Sequence, residues 1–455
     1  MFALIPSLDV LLQCLLPAFT QPSFQTHCEI FLGWLMCLSR RTEFSVFQTI
    51  QADTPVNRKK RHPFDRHYNF FSRSSWAVAD LARCVAVQIV VALNPTGLLY
   101  LVVDDTLLHK RGKYVYGLGW FRDAVASTAK RVATASGNHW VVMGLAICIP
   151  KTDIIYCLPI HCKLHLPGKG KPSEAALARE MLLDVRSWFP DRQLVLVGDG
   201  AYACEKMFSS WKDLAEHVKY VGVMRSDAAL YDPVPPEQPK SKRGPKPKKG
   251  PRLPSPKEAA KKADRSRSVD SPWAWQTVTA MAYGVQRELL VVSYVAVWPK
   301  VLGLVPIRVV VVRDPQGNFD DAFLFTTDVD AELSWVIATF ARRWSIEVAF
   351  KASKQVMKIE SPQHWCKESI QKLAPWVWLM QSVVSLWYLT DGRKTPEAKA
   401  ARRRMGEWDT EWSFAHMFRI LRRTTLRAII NSNSPTRTDQ QQLIDALENY
   451  LSLAI

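Results

Sequence analysis

Four apolar runs constrain this chain most, because two of them stop at carboxylates. "LLYLVVDDT" (98–106) ends in Asp104 and Asp105, and "LVLVGDGAY" (194–202) ends in Asp199 and Gly200. Between them lie "HWVVMGLAICI" (139–149) and "DIIYCLPIHCKLHL" (153–166), then "SEAALAREMLLDVRSWF", whose Ser173 is placed to cap a helix. Runs that are apolar without alternation are strands covered on both faces. Strands in a row followed by alternating helix and strand predict an α/β fold, a mixed sheet flanked by helices.

Strands disfavour Asp, so acids closing apolar strands ask for a reason. A third acid, Glu347, sits in "RRWSIEVAFKASKQ" (342–355), on a segment of helical spacing. There Phe340, Arg343, Glu347, Lys351 and Lys354 recur three or four apart and share one helical face. Buried carboxylates without nearby cations need a proton or a metal. Three of them converging would hold two Mg²⁺ ions about 3.5–4 Å apart, the arrangement that cleaves and joins phosphodiesters. The same spacing around Glu347 also describes a solvated salt-bridge ladder, and spacing alone leaves both readings open.

Charge narrows the partners. Sixty Lys and Arg against forty-two Asp and Glu give a formal charge of +18, which draws polyanions, nucleic acid before an acidic membrane surface. Nine cysteines are scattered with no C-x-x-C pair, which excludes a zinc ribbon and fits reduced cytosolic thiols. Cys157 and Cys162 flank His161 as a partial metal site, but their apolar run favours packed thiols. The start, "MFALIPSLDVLLQCLLPAF", has no basic leader and carries Pro6 and Asp9, so it reads as a core or dimer-facing helix. No apolar run reaches the roughly 18 residues of a membrane span.

Composition shifts along the chain divide it into a helical region that fits a DNA-binding domain or a plain helical cap (1–92), a first core segment (93–218), a β-rich insertion (219–328), a second core segment (329–395) and a helical C-terminal region (396–455). Within the insertion, residues 239–267 carry twelve Lys or Arg among Pro and Gly and read as a mobile basic loop. Residues 330–355 read as helix throughout, and the region from about 405 onward as two helices.

The run Phe340-x-x-Arg343-x-x-x-Glu347-x-x-x-x-x-x-Lys354 resembles the Y-R-E-K signature of DDE transposases from bacterial cut-and-paste insertion sequences, with Phe in place of Tyr. "VVDDTLLHKRGK" and "VGDGAY" are similar to the first- and second-aspartate motifs of that family, and the likeness spans roughly residues 20–390. It implies an RNase H-like core interrupted by a β-rich insertion. Asp104, Asp199 and Glu347 would be the catalytic metal ligands, with Asp105 as the alternative to Asp104. The cofactors would be two Mg²⁺ ions, with Mn²⁺ able to substitute. The reaction implied is cleavage at transposon ends and transfer of 3′-OH strands into target DNA, through hairpin ends. Arg343, Lys351 and Lys354, with the basic run Lys110, Arg111 and Lys113, would contact DNA, and Trp273, Trp275 or Trp298 would stack on a flipped base. The expected setting is a homodimer on transposon-end and target DNA in a bacterial cytoplasm, associated with the nucleoid. The alternatives are a transposase-derived DNA-binding protein without activity, an RNase H-like nuclease that cuts without joining, and a basic scaffold whose acids form surface ion pairs.

Overall fold

The computed structural model describes residues 5–51, 63–94, 96–123, 126–128, 131–149, 152–234, 249–268, 270–404 and 411–433. Five helices come first: α1 (Pro6–Gln13), α2 (Gln21–Met36), α3 (Glu43–Gln51), α4 (Pro63–Ser72) and α5 (Val78–Leu93). The first core segment follows as β1 (Leu99–His109), β2 (Gly119–Arg122), β3 (Thr134–Cys148), β4 (Ile155–His165), α6 (Glu174–Trp188), β5 (Leu194–Gly198), α7 (Glu205–Phe208) and β6 (Val218–Val223). Then come α8 (Pro256–Arg265), β7 (Gln276–Ala282), β8 (Val285–Val297), α9 (Pro299–Leu302), β9 (Pro306–Arg313) and β10 (Ala322–Thr326). Helices α10 (Leu333–Ala341), α11 (Trp344–Gln355), α12 (Lys367–Thr390), α13 (Pro396–Arg404) and α14 (Phe414–Asn433) complete the described chain.

All ten strands form one sheet, ordered β2-β3-β1-β5-β6-β10-β9-β8-β7, with β4 also paired to β3. β3 lies antiparallel to both β1 and β4, whereas β1, β5 and β6 run parallel. That order and those directions, β4-β3-β1-β5-β6, make an RNase H-like core. β5 is buried at every residue, as a parallel strand covered on both faces must be. The β-rich insertion joins the same sheet, since β10 pairs antiparallel with β6 and β9, β8 and β7 follow as a meander.

At the β3–β4 bulge, Gly144 is required by close approach: a Cβ there would lie 2.3 Å from the Cys157 sulfur. Cys157 and Cys162 are buried thiols whose burial pushes their pKa values up, and His161 turns instead to Asp184 at 2.9 Å, so the packed-thiol reading holds.

Helix α12 is the central post. From Ser369 to Tyr388 every residue but Gln371 and Lys372 is buried, and the helix packs on β4, α5, α4 and α14. Trp376, Trp378 and Trp387 are fully enclosed. Among the described residues no helix is long and apolar enough to cross a membrane. Buried polar links tie the first helices to the rest: Trp376 Nε1 donates to His27 Nδ1 at 2.9 Å, Trp34 Nε1 to the Met357 carbonyl at 3.0 Å, and Arg422 to the Leu35 carbonyl at 2.8 Å.

Three expectations are corrected. β1 does not end at its carboxylates but runs on to His109, because β3 pairs with it as far as His109↔Gly137. The helix over 330–355 is broken at Arg342 and Arg343, where i→i+3 bonds such as Arg343 N–H to the Phe340 carbonyl tighten the chain into a turn between α10 and α11. The stretch 239–267 is not one loop: residues 239–248 lie outside the described residues, but α8 is a helix with a Ser255/Glu258 capping box and with Ala259, Ala260 and Ala263 buried. Of the two helices expected from about residue 405 onward, α14 is one, and residues 434–455 lie outside the described residues.

Candidate active site

The site begins with a gap in the sheet. β1 pairs with β5 only through Val102↔Val197, while its other edge stays paired to β3. Beyond Val102 the β5 side of β1 is open, and Asp104 and Asp105 occupy that opening. Asp199 follows the last residue of β5, in a turn where its Oδ1 accepts from the Ala201 N–H at 2.9 Å. In open α/β sheets such a crevice at strand C-termini is where ligands bind.

The break between α10 and α11 supplies the opposite wall. Arg343 reaches Asp104 Oδ2 through Nη1 at 2.8 Å and Glu347 Oε1 through Nη2 at 2.8 Å. One guanidinium therefore bridges two of the three proposed ligands. Asp104 is largely buried, and burial is the main cause that pushes its pKa up to about 7; Arg343 works against this, while Asp105 and Asp199 add to it. Asp199 is also raised, chiefly by burial and further by Asp105. For Arg343, burial is outweighed by Asp104 and Glu347, which hold its pKa above the ordinary value.

Neighbouring strand positions face opposite ways, and Asp105 turns from Arg343 to accept from His139 Nε2 at 2.7 Å. The geometry thus groups Asp104, rather than Asp105, with Arg343 and Glu347. The ligand atoms of Asp104, Asp199 and Glu347 do not all lie within 4.8 Å of one another. Arg343 bridges two of them, and a set of partly buried carboxylate oxygens with an excess of negative charge suits a divalent cation.

The cationic residues divide. Lys110 donates to the Glu360 and Pro362 carbonyls at 3.0 and 2.7 Å, and burial lowers its pKa to about 8. It ties to the turn after α11 and also lines the cavity that Arg111 and Lys113 border. Arg111, Lys113 and Lys351 are exposed, whereas Lys354 is half-buried near Glu360 and Asp123.

Arg111 and Lys113 line a cavity of about 1130 Å³ with Arg40, Tyr114, Trp120 and Trp365. The three aromatics are well exposed. Sequence reading missed them, although "KRGKYVYGLGW" carries the signal of a basic run interleaved with aromatics.

The tryptophans singled out for stacking are mostly occupied. Trp298 is 4% exposed and packs edge-on against Phe325, which removes it as a stacking residue. Trp273 is half-buried against Tyr294 and under Lys262, and Trp275 donates to Asp264 beneath Arg313. A second cleft, of about 890 Å³, holds Arg343 together with Trp344 and Tyr283, which sits at the β7–β8 turn. These two exposed rings meet edge-on at 6.4 Å.

A family model described as DDE superfamily endonuclease matches residues 14–287. The matched span includes Asp104 and Asp199 and ends before Glu347. No curated protein matches the chain. Among solved structures, the cryo-EM structure of the piggyBac transposase synaptic complex with hairpin DNA is similar at 10% identity over 94% of this chain and 78% of that one, with a TM-score of 0.39.

Proposed function

We propose, because this chain belongs to the DDE superfamily of endonucleases, that it is a DNA transposase that cleaves transposon ends and transfers the 3′-OH strands into target DNA, through hairpin ends. The observation that carries this reading is the bridge from Arg343 to Asp104 and Glu347 at the sheet opening where Asp199 also ends its strand. Family membership implies use of a divalent metal. Asp104, Asp199 and Glu347 would hold two Mg²⁺ ions, which would supply Lewis-acid activation of a water or 3′-OH and stabilisation of the departing oxygen.

The chain's own residues do the rest. Arg343 neutralises Asp104 and Glu347 and supplies the guanidinium nearest these carboxylates for a scissile phosphate. Arg111, Lys113 and Lys351 lie exposed and hold the duplex backbone, with Lys354 closer to the carboxylates. Tyr114, Trp120 and Trp365 offer faces to unstacked bases, and Tyr283 with Trp344 offers the same beside Arg343. The similarity of Phe340, Arg343, Glu347 and Lys354 to the Y-R-E-K signature supports a bacterial insertion-sequence origin, and work on two DNA ends is the reason for a homodimer.

The test is a Mg²⁺ or Mn²⁺ cleavage and strand-transfer assay on the inverted-repeat DNA flanking the gene, comparing wild type with Glu347→Gln. Nicked and joined products that the variant loses while still binding DNA support the reading. Cleavage without joined product would instead assign a nuclease, and equal binding with no cutting by either protein would assign a DNA-binding protein.

A further inference from the structure

His139 and His165 stand directly opposite each other in the β3–β4 ladder. Their Nδ1 atoms are 3.5 Å apart. Glu174, the first residue of α6, brings Oε1 to 3.3 Å from His165 Nδ1 and to 3.6 Å from His139 Nδ1. Among the described residues this is the group of three His, Cys, Asp or Glu whose ligand atoms all approach within 4.8 Å of one another. A tetrahedral ion with N and O ligands at about 2.0–2.1 Å spaces those ligands about 3.3–3.4 Å apart. The three observed separations lie at or just above that spacing.

The surroundings orient the rings as a metal requires. Asp105 accepts from His139 Nε2 at 2.7 Å, which leaves the lone pair of that ring on Nδ1, facing the glutamate and the second histidine. A carboxylate behind a histidine is the usual support of a metal-bound imidazole. Phe121 stacks on His139 at 4.8 Å and meets His165 edge-on at 5.9 Å, so both ring planes are held. The side chains are 12%, 17% and 33% exposed for His139, His165 and Glu174, sheltered yet open to a hydrated ion. With its lone pair on Nδ1, His139 faces two further donor atoms, and either a proton or a metal cation between the three offsets their repulsion.

We propose that His139 Nδ1, His165 Nδ1 and one Glu174 oxygen bind a divalent transition-metal ion of the zinc class, with water in the remaining position, at a site separate from Asp104, Asp199 and Glu347. Two imidazoles and one carboxylate select Zn²⁺ over Mg²⁺, which takes an octahedral shell of oxygens. The ion joins β3, β4 and α6, and through Asp105 it fixes the residue next to Asp104. This site does not depend on the transposase reading.

The full-length protein, stripped by chelation and dialysed against Zn²⁺ in excess Mg²⁺, is analysed for bound zinc alongside Glu347→Gln, His165→Asn and Glu174→Gln. Wild type and Glu347→Gln hold the same single ion per chain. Each of the other two variants loses affinity by more than about 100-fold, above the roughly 10–100-fold that removal of a supporting residue alone costs. Co²⁺ in place of Zn²⁺ gives wild type the visible absorption of a four-coordinate site, absent in His165→Asn. Zn²⁺ raises the Tm of wild type but not of the two ligand variants, whose metal-free Tm values show whether they fold. If His165→Asn does not fold, Glu174→Gln decides. Wild type without zinc, or ligand variants that retain it, would overturn the site and assign the cluster to a proton-bridged polar network.

Discussion

Asp104 and Arg343 meet at 2.8 Å across the opening where β5 stops pairing with β1, and the same guanidinium holds Glu347. Both partners are mostly buried, so Arg343→Ala leaves Asp104 without its nearest cation. The variant is expected to lose about 3 kcal/mol of stability at pH 8, read from urea unfolding. Mg²⁺ should then raise its Tm more than it raises that of wild type, because the ion replaces the missing charge. An equal Mg²⁺ effect in both proteins would speak against Asp104 and Glu347 as shared ligands.

Metal loading should depend on pH through Asp104. Its carboxyl, raised to about 7 chiefly by burial, keeps its proton below that pH, and a metal must displace it. The half-saturating Mg²⁺ concentration for DNA cleavage is expected to rise about tenfold per pH unit as pH falls below 7. Without metal the sign for stability is opposite: the folded state holds this proton more tightly than the unfolded chain, so Asp104 favours folding more as pH falls from about 7 toward 3.8. A Mg²⁺ titration at pH 6 and pH 8 checks the first statement.

DNA binding should separate charge from stacking. Arg111→Ala and Lys113→Ala are each expected to flatten the plot of log affinity against log salt by about 0.9, the release of one phosphate's counterions. Trp120→Ala should leave that slope unchanged and weaken single-stranded binding by about 1–3 kcal/mol. Fluorescence anisotropy across a salt series distinguishes the two. Lys110→Ala should alter stability rather than the salt slope, since its ammonium is held by the Glu360 and Pro362 carbonyls.

His27 gives a pH dependence unrelated to the active site. Burial lowers its pKa to about 3, and its Nδ1 accepts from Trp376, so the folded state keeps it neutral. As pH falls from 6.5 toward 3 the unfolded chain binds a proton that the folded chain refuses. Stability should fall by about 1.4 kcal/mol per unit in that window from this group. His27→Gln, which keeps an acceptor for Trp376, should show a correspondingly shallower loss in urea unfolding between pH 6.5 and 4.5.

The core of the sheet was legible because its strands are apolar on both faces, a pattern that residues 194–198 carry without interruption. What was missed depends on partners far away in the chain. Asp104 and Asp105 looked like the end of a strand because apolar runs stop there, yet β3 carries the ladder on to His109. The bend at Arg342 and Arg343 was hidden because every residue there suits a helix, and the three-and-four spacing continues across it. Lys110 looked free because its acceptors lie about 250 residues later. Trp298 was one of three insertion tryptophans named for stacking, and the packing of the sheet against Phe325 buries it. His139, His165 and Glu174 come from two strands and a helix start, and nothing in their spacing brings them together.

β10 joins β6 to the strands that the chain inserts between its second aspartate and its glutamate. Read in one dimension, that insertion is a detachable cassette. In three dimensions it is the shoulder of the same ten-stranded sheet: cutting it out would bare the edge of β6, a row of unpaired amides ready to recruit another chain. Shortened descendants of such a protein would therefore have to invent a new edge before they could discard the old one.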